Sequence, residues 1–142
     1  MVKNAAGIII FRDKIEYLLL LSSKKTEFPN WTPPKGKLEY NEEFLDAAIR
    51  ETFEETGLQI KEDYEIINND FKLISEYPVK EKTVVYWLAK TVDPNLETIK
   101  LSDEHVDFRW ATLNEAVDLI KYDGMKNVIK KAHEYLMSIK TH

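Results

Sequence analysis

The stretch RETFEETG, residues 50–57, crowds acidic side chains onto one face of a predicted helix. Glu51, Glu54 and Glu55 stand at i, i+3 and i+4, so their carboxylates share that face. Like charges at this spacing repel by roughly 0.2–0.5 kcal/mol per pair in an isolated helix. Arg50 can pair with Glu54, which leaves two carboxylates uncompensated. The pattern therefore favours a bound cation, and the alternative is an ordinary solvated face.

The neighbouring residues indicate where this helix begins, ends and faces. Asn41 is a good N-cap, and Glu42 and Glu43 are favourable in a first turn. Gly57 is well placed to end the helix. At 100° per residue an apolar stripe should face a sheet, with the acidic cluster at its edge. That stripe consists of Phe44, Leu45, Ala48, Ile49 and Thr52.

Length, charge and composition limit the class of protein. The chain has 142 residues, which fits a single domain over 1–142 with a real core. Its net charge of −5 makes a stable complex with nucleic acid or an anionic membrane unexpected. The absence of cysteine excludes disulfides, thiolate–zinc sites and a cysteine nucleophile. No apolar run is long enough to span a bilayer and no N-terminal segment has a signal-peptide layout, so we expect a cytoplasmic protein. We also expect it to be a monomer.

Five short apolar or alternating runs have the composition of buried strands. The first two are separated by only five polar or mixed residues, which predicts a tight connection. In the fourth run, Val84, Tyr86 and Leu88 should face one side of the sheet, and Val85, Trp87 and Ala89 the other. The predicted strands are AAGIIIF (5–11), YLLLLS (17–22), DFKLISEY (70–77), TVVYWLAK (83–90) and VDFRWA (106–111).

Loop and helix signals complete the predicted architecture. Three prolines and one glycine predict a loop over residues 28–37. Thr112 and Glu115 form a capping box for a helix that runs to about Lys121. A last amphipathic helix is expected over about 125–139. Strands interleaved with helices predict an α/β sandwich.

The wider spacing around the acidic helix is specific. Gly36 is followed after five residues by Glu42, and after seven more by RETFEETGL, residues 50–58. This pattern resembles the Nudix box of the Nudix hydrolases at every charged and glycine position, with Thr52 where an aliphatic residue is usual. The resemblance implies the Nudix fold, in which a mixed β-sheet lies between α-helices and the box (36–58) forms a loop–helix–loop. It also implies metal-dependent hydrolysis of a nucleoside diphosphate linked to another group.

This chemistry explains the acidic residues. Metal ions neutralise the charge of a pyrophosphate and lower the pKa of bound water. Oxygen ligands suit Mg²⁺ or Mn²⁺ better than zinc. Arg50 is placed to orient the glutamates by ion pairing or to form an ordinary helix salt bridge, and Glu42 is either a helix-start acid or a partner for Arg50. The resemblance implies metal ligation by Glu51, Glu54, Glu55 and the backbone carbonyl of Gly36, with a further carboxylate from outside the box.

Three other stretches narrow the substrate. NWTPPKGKLE (30–39), KTVVYWLAK (82–90) and LSDEHVDFRW (101–110) resemble the asymmetrically cleaving diadenosine tetraphosphate hydrolases. This resemblance covers nearly the whole chain. It implies that water attacks a phosphorus of diadenosine tetraphosphate to give ATP and AMP, so the expected partner is a small-molecule dinucleoside polyphosphate.

The same resemblance implies roles for residues outside the box. Glu104 would bind metal or take a proton from water, and otherwise is a surface loop acid. His105 would contact phosphate or the attacking water, unless its role is structural. Expected phosphate contacts are Lys35, Lys80, Lys82 and the hydroxyl of Tyr86; Tyr77 and Tyr122 would stack on adenine, and Trp31 would line the pocket. The alternatives are a solvated lysine hairpin and aromatic residues that only pack.

Some features depart from the family pattern and leave alternatives open. Asn30 stands where many relatives carry a histidine, so a phosphate contact by that histidine is missing or replaced. LEYNEE (38–43) replaces a more usual turn near Gly36. Other substrates to consider are an oxidised nucleoside triphosphate, a capped RNA end or a diphosphoinositol. A nucleotide-binding module without catalysis is the non-enzymatic alternative, which the intact box glutamates argue against.

Overall fold

The computed structural model describes residues 3–25, 29–77 and 81–140. In this part of the chain an eight-stranded mixed sheet lies between helices, which confirms the predicted α/β architecture. The strands are β1 (Lys3–Arg12), β2 (Glu16–Ser22), β3 (Trp31–Thr32), β4 (Lys35–Lys37), β5 (Tyr64–Ile66), β6 (Leu73–Tyr77), β7 (Lys82–Thr91) and β8 (His105–Ala111). The helices are α1 (Phe44–Thr56), α2 (Leu113–Leu119) and α3 (Asp123–Lys140).

Strand β1 lies at the centre of the sheet. It pairs antiparallel with β2 and β4 and parallel with β7. The main order is β3-β2-β1-β7-β5, with β4 beside β1, β6 beside β7 and β8 beside β2. Ile8, Ile9 and Ile10 are all buried because both faces of this strand are covered. This burial explains why the strand reads as a continuous apolar run rather than an alternating one.

Two separate cores cover the two faces of the sheet. Val84, Tyr86 and Leu88 of β7 belong to the core beneath α2 and α3. The alternate β7 residues, Val85, Trp87 and Ala89, belong to the core beneath α1. The predicted alternation of faces is confirmed. The acidic helix is therefore on the opposite side of the sheet from the C-terminal helices.

The predicted start of α1 is wrong. The helix begins at Phe44, so Asn41 is not its N-cap, and Glu42 and Glu43 precede it. Asn41 has a φ of 62°, in the left-handed region that asparagine tolerates but that cannot begin a right-handed helix. It stands in a turn in which the Glu42 N–H donates to the Glu39 carbonyl at 3.0 Å. Residues 39–43 therefore form a turn ahead of the helix.

The other helix boundaries follow their sequence signals closely. Gly57 ends α1 with a φ of 77°, as expected for a left-handed C-cap. Thr112 and Glu115 form the predicted capping box of α2 through both reciprocal hydrogen bonds. Helix α3 begins at Asp123, two residues before the expected start. No helix within the described ranges is long and apolar enough to cross a membrane.

The predicted loop over 28–37 contains two short strands. Trp31–Thr32 pairs with β2, and Lys35–Lys37 pairs with β1. The backbone N–H and C=O groups of β1 and β2 need hydrogen-bond partners, and residues of this loop provide them despite its prolines. Phe28, the first residue of that prediction, lies outside the described residues. Strand β5 was not predicted, and β6 begins at Leu73 rather than Asp70.

Candidate functional site

The three helix glutamates differ sharply in exposure. Glu55 is 3% exposed and lies within the buried face of α1, with Thr52 and Thr56. The Glu51 side chain is 14% exposed and that of Glu54 is 51% exposed. The prediction that Glu55 lies at the edge of the apolar stripe is therefore wrong, because this carboxyl is inside the packed face. Burial of a carboxylate requires a partner.

Arg50 joins most of the acidic residues of the segment. Its Nη1 donates to Glu51 at 2.8 Å and to Glu54 at 3.0 Å. Its Nε and Nη2 donate to the two oxygens of Glu42 at 2.8 Å each. Nη2 also donates to the Lys37 carbonyl at 2.9 Å, so all five N–H groups are used. The expectation that Arg50 orients the glutamates by ion pairing agrees with this geometry.

Arg50 also resolves the choice offered for Glu42. The guanidinium, joined by the Glu39 backbone N–H, lowers the pKa of Glu42 to about 2. Glu42 is thus the partner of Arg50 and not a first-turn acid. The expectation that pairing with Glu54 leaves two carboxylates uncompensated needs correction, because Arg50 reaches Glu51 as well.

Glu55 is the carboxyl without a strong cationic partner. The Lys35 backbone N–H donates to its Oε1 at 3.2 Å, and His105 Nε2 lies 3.9 Å from the same oxygen. Burial raises the pKa of Glu55 to about 8, and the hydrogen bond and charge of Glu51 act in the same direction. Lys35 opposes them. At neutral pH the metal-free carboxyl pair therefore retains a proton that a cation would displace.

Gly36 faces the Glu51 carboxylate at very close range. A Cβ atom placed on Gly36 would overlap the carboxylate of Glu51. Glycine at this position lets β4, paired to β1 beside Ala6, lie directly against α1. This close approach places the backbone of β4 and the carboxyl groups of Glu51 and Glu55 in one corner of the fold.

This corner fits a hard divalent cation. It combines hard oxygen donors, an excess of negative charge and a carboxyl that burial and the neighbouring Glu51 hold protonated. Among the described residues, no three acidic or histidine side chains converge closely enough to hold a metal as they stand. Arg50 forms ion pairs with Glu51 and Glu54. Glu51 and Glu55, next to Gly36, are the donors best placed for an ion.

Strand β8 brings His105, a predicted residue from outside the box, to this corner, and Glu104 directly precedes the strand. Glu104 is exposed in the preceding loop, and its carbonyl accepts from the Ser23 N–H at 2.8 Å. The His105 side chain is 11% exposed. Burial lowers its pKa; Lys35 acts in the same direction and Glu104 opposes it. A neutral imidazole thus lies beside Glu55.

Two predicted pocket residues lie mainly in the core on the other face. Trp31 is 9% exposed and Tyr86 is 1% exposed, and both belong to the core beneath α2 and α3. The residues predicted from the sequence did not include Gly7. This glycine of β1 lies between the Tyr86 ring and β4. A Cβ on Gly7 would come within 2.9 Å of the Tyr86 ring and would also overlap Lys35. A glycine inside a strand pattern is the available signal for such a close approach.

Two further predicted residues, Lys82 and Tyr122, lie where β6, β7 and α3 meet. Lys82 is in register with Tyr77 at one end of the β6–β7 pair. Gly124 packs against Ser75 of β6, which places the half-buried Tyr122 near the same end of the sheet. Lys80 and the side chain of Tyr77 lie outside the described part of the structure. Their predicted contacts stay predictions.

The chain is similar to known proteins over almost its whole length. The family described as NUDIX domain matches residues 1–132. The chain is 39% identical to the asymmetrical bis(5'-nucleosyl)-tetraphosphatase of Rattus norvegicus, in an alignment covering 97% of this chain and 98% of the rat protein. The enzyme of the same name from Caenorhabditis elegans is also 39% identical, with 96% and 98% covered.

A solved structure has the same fold. The binary complex of a Caenorhabditis elegans Ap4A hydrolase superposes with a TM-score of 0.84 at 36% identity. The match covers 94% of this chain and 98% of that one. The similarity therefore includes the sheet, the acidic helix and the C-terminal helices.

Proposed function

The chain belongs to the NUDIX domain family, and on that premise we propose that it hydrolyses diadenosine tetraphosphate to ATP and AMP in a metal-dependent reaction. The observation that carries the proposal is the buried Glu55 carboxyl beside Glu51, which holds a proton at neutral pH that a bound cation would displace. Relatives 39% identical over nearly their whole length bear the name of this activity. Water would attack one phosphorus of the substrate.

The metal would be Mg²⁺ or Mn²⁺. Family members generally use divalent metals, and the oxygen donors of this corner suit these ions. Once bound, such an ion neutralises phosphate charge and makes water a better nucleophile. Its proposed ligands are Glu51, Glu54, Glu55, Glu104 and the backbone carbonyl of Gly36.

The protein's own side chains hold this site in shape. Arg50 fixes Glu51 and Glu54, while Glu42 fixes Arg50 through two hydrogen bonds. Glu104, in the exposed loop that precedes His105, is proposed to bind metal or to take a proton from water.

The rest of the substrate would be bound by residues next to the carboxylates and by residues farther along the sheet. Lys35 is proposed to contact phosphate, since its backbone contacts Glu55 and its side chain lies beside Gly7. His105 would contact phosphate or water as a neutral donor. We propose further phosphate contacts by Lys80, Lys82 and the Tyr86 hydroxyl, adenine stacking by Tyr77 and Tyr122, and a pocket wall at Trp31. The burial of Trp31 and Tyr86 supports packing as at least part of their role.

Other features of the proposal rest on the sequence. The monomeric state and cytoplasmic location stay predictions, as does the extent of a single domain over 1–142. The other nucleotide classes stay alternatives within the family, and no contact among the described residues favours one of them.

The test compares turnover and binding in the wild type and Glu55→Gln. The wild type should hydrolyse diadenosine tetraphosphate with Mg²⁺ and not with a chelator, and faster than oxidised nucleoside triphosphates, capped RNA or diphosphoinositol. Glu55→Gln should lose most turnover and still bind nucleotide. A wild type that binds without metal-dependent turnover would instead be a binding module, and faster turnover of another substrate would overturn the substrate assignment.

A further inference from the structure

The chain leaving β2 runs alongside the candidate site. Ser22 is in register with His105, across a bulge in the β2–β8 pairing. The next residue, Ser23, donates its N–H to the Glu104 carbonyl at 2.8 Å. The Lys24 N–H then donates to the Ser22 hydroxyl at 3.2 Å. The Ser23 bond holds this backbone against the loop that carries Glu104, and the Lys24 bond closes a local turn.

Two consecutive lysines follow directly from this anchored backbone. Lys24 and Lys25 are exposed, and neither forms an ion pair within the described ranges of the chain. Other surface cations do pair: Lys90 lies 3.6 Å from Asp13, and Arg109 lies 3.9 Å from Glu115. The two ammonium groups are thus available to an external anion.

The excess of negative charge at the site indicates a role for these two lysines in binding an anionic substrate. Among the described residues, Glu42, Glu51, Glu54 and Glu55 outnumber the cations shown to act on them, Arg50 and Lys35. Arg50 is already fully occupied by protein acceptors. A tetraphosphate chain is itself strongly anionic and must approach this acidic surface. Consecutive residues of an extended chain are roughly 3.3 Å apart, so the backbone of Lys24 lies about that far from Ser23, the residue that contacts Glu104. A flexible four-carbon side chain from there can reach phosphates beside Glu104.

We propose that Lys24 and Lys25 bind substrate phosphates away from the reacting phosphorus and so select for long polyphosphate chains. This inference rests on the proposed hydrolysis of a dinucleoside polyphosphate. Lysine is a mobile point charge that suits phosphates without fixed geometry, unlike the planar fork of arginine. Each added phosphate brings more negative charge within reach, so the contribution of the pair grows with chain length. The pair acts on substrate binding and leaves the chemical step to the carboxylates.

A different role for Lys24 has a different kinetic signature. If Lys24 instead held the Glu104 side chain, its loss would lower kcat equally for every substrate. A purely solvated pair would change neither kcat nor KM. Selection by phosphate contact predicts an increase in KM that depends on the number of phosphates.

The experiment uses the double variant Lys24→Gln/Lys25→Gln with Mg²⁺ and diadenosine tri-, tetra- and pentaphosphate. The matched control is Lys130→Gln/Lys131→Gln, another consecutive lysine pair, on α3. For the tetraphosphate we expect KM to rise about 5- to 20-fold with kcat within about 2-fold, on the order of two exposed charge contacts. The rise should be larger for the pentaphosphate, smaller for the triphosphate and weaker at high salt, while the control stays at wild-type values.

The outcomes separate this inference from the proposed function. Three results would overturn the role of Lys24 and Lys25 in an active enzyme. They are a KM that rises equally for all three substrates, a fall in kcat alone, and kcat and KM values equal to those of the control. A wild type that hydrolyses none of the three compounds would overturn the proposed function and this inference with it.

Discussion

Replacing Glu55 by glutamine should remove a pH dependence of stability that the metal-free wild type carries. The pKa of Glu55 is raised in the fold from its usual 4.5 to about 8, first by burial and then by Glu51. Between these two values the folded chain holds a proton that the unfolded chain has released. The stabilisation is therefore complete below about pH 4.5 and is lost as the pH rises through about 8.

The size of this effect follows from the two pKa values. At roughly 1.4 kcal/mol per pKa unit, the difference amounts to at most about 5 kcal/mol of unfolding free energy. Glutamine cannot ionise, so Glu55→Gln should keep most of that stability at pH 8. Mg²⁺ should restore the wild type at pH 8, by about 2.7 kcal/mol at 100 times its dissociation constant, and restore the variant much less.

Urea denaturation followed by tryptophan fluorescence measures both effects. The titrations are run with a chelator and with Mg²⁺ at pH 5 and pH 8, on the wild type, Glu55→Gln and Glu54→Gln. Glu54 is the matched control for the metal-free titrations, because it is the adjacent glutamate of the same helix and is half exposed. The reasoning is refuted if metal-free wild type and Glu55→Gln lose equal stability between pH 5 and pH 8.

Three further variants test other contacts. Gly36→Ala should lower kcat by about 100-fold or more, because its Cβ would displace the Glu51 carboxylate. A shift of about 1 Å in a catalytic group lowers the rate by about that factor. An unchanged steady-state rate would count against the close approach. Arg50→Lys keeps the charge but offers three N–H donors where Arg50 uses five. The unfolding free energy measured in urea should therefore fall by about 1–3 kcal/mol. Equal stability would show that the hydrogen bonds of Arg50 contribute little. The hydroxyls of Thr52 and Tyr64 are buried without a hydrogen bond of good geometry, so Thr52→Val/Tyr64→Phe should be at least as stable as the wild type in thermal unfolding. A loss above about 1 kcal/mol would mean that these two hydroxyls bond each other.

The fold was predictable where one physical signal dominated. The apolar runs specified the central strands because both faces of the sheet are covered, and the alternation in β7 assigned Tyr86 and Trp87 to opposite cores. Gly57 and the Thr112–Glu115 box marked helix ends through local backbone chemistry. Such signals act within a few residues, so a linear pattern contains them.

The errors arose where distant residues decide local structure. Asn41 has the side chain of a good N-cap, yet Arg50 draws Glu42 away and the preceding turn places Asn41 in a left-handed conformation. The short strands beside the prolines form because β1 and β2 offer unpaired backbone. Neither effect can be read from neighbouring residues.

The candidate site shows the same division. Helical spacing grouped the glutamates and paired Arg50 with Glu54, as the structure confirms. Spacing could not rank their burial, because Glu55 is enclosed by β4 and β8, which arrive from elsewhere in the chain. The close approach at Gly7 and the Ser23 contact to Glu104 depend on strand register and were likewise missed.

The most direct test of the central claim is product analysis after hydrolysis of diadenosine tetraphosphate in heavy-oxygen water, with Mg²⁺ and with a chelator. The account predicts ATP and AMP in equal amounts, formed only with the metal, with one heavy oxygen in one product. Label in AMP would place the attack on the phosphorus that leaves with AMP. Two molecules of ADP, or no metal-dependent product, would contradict the account.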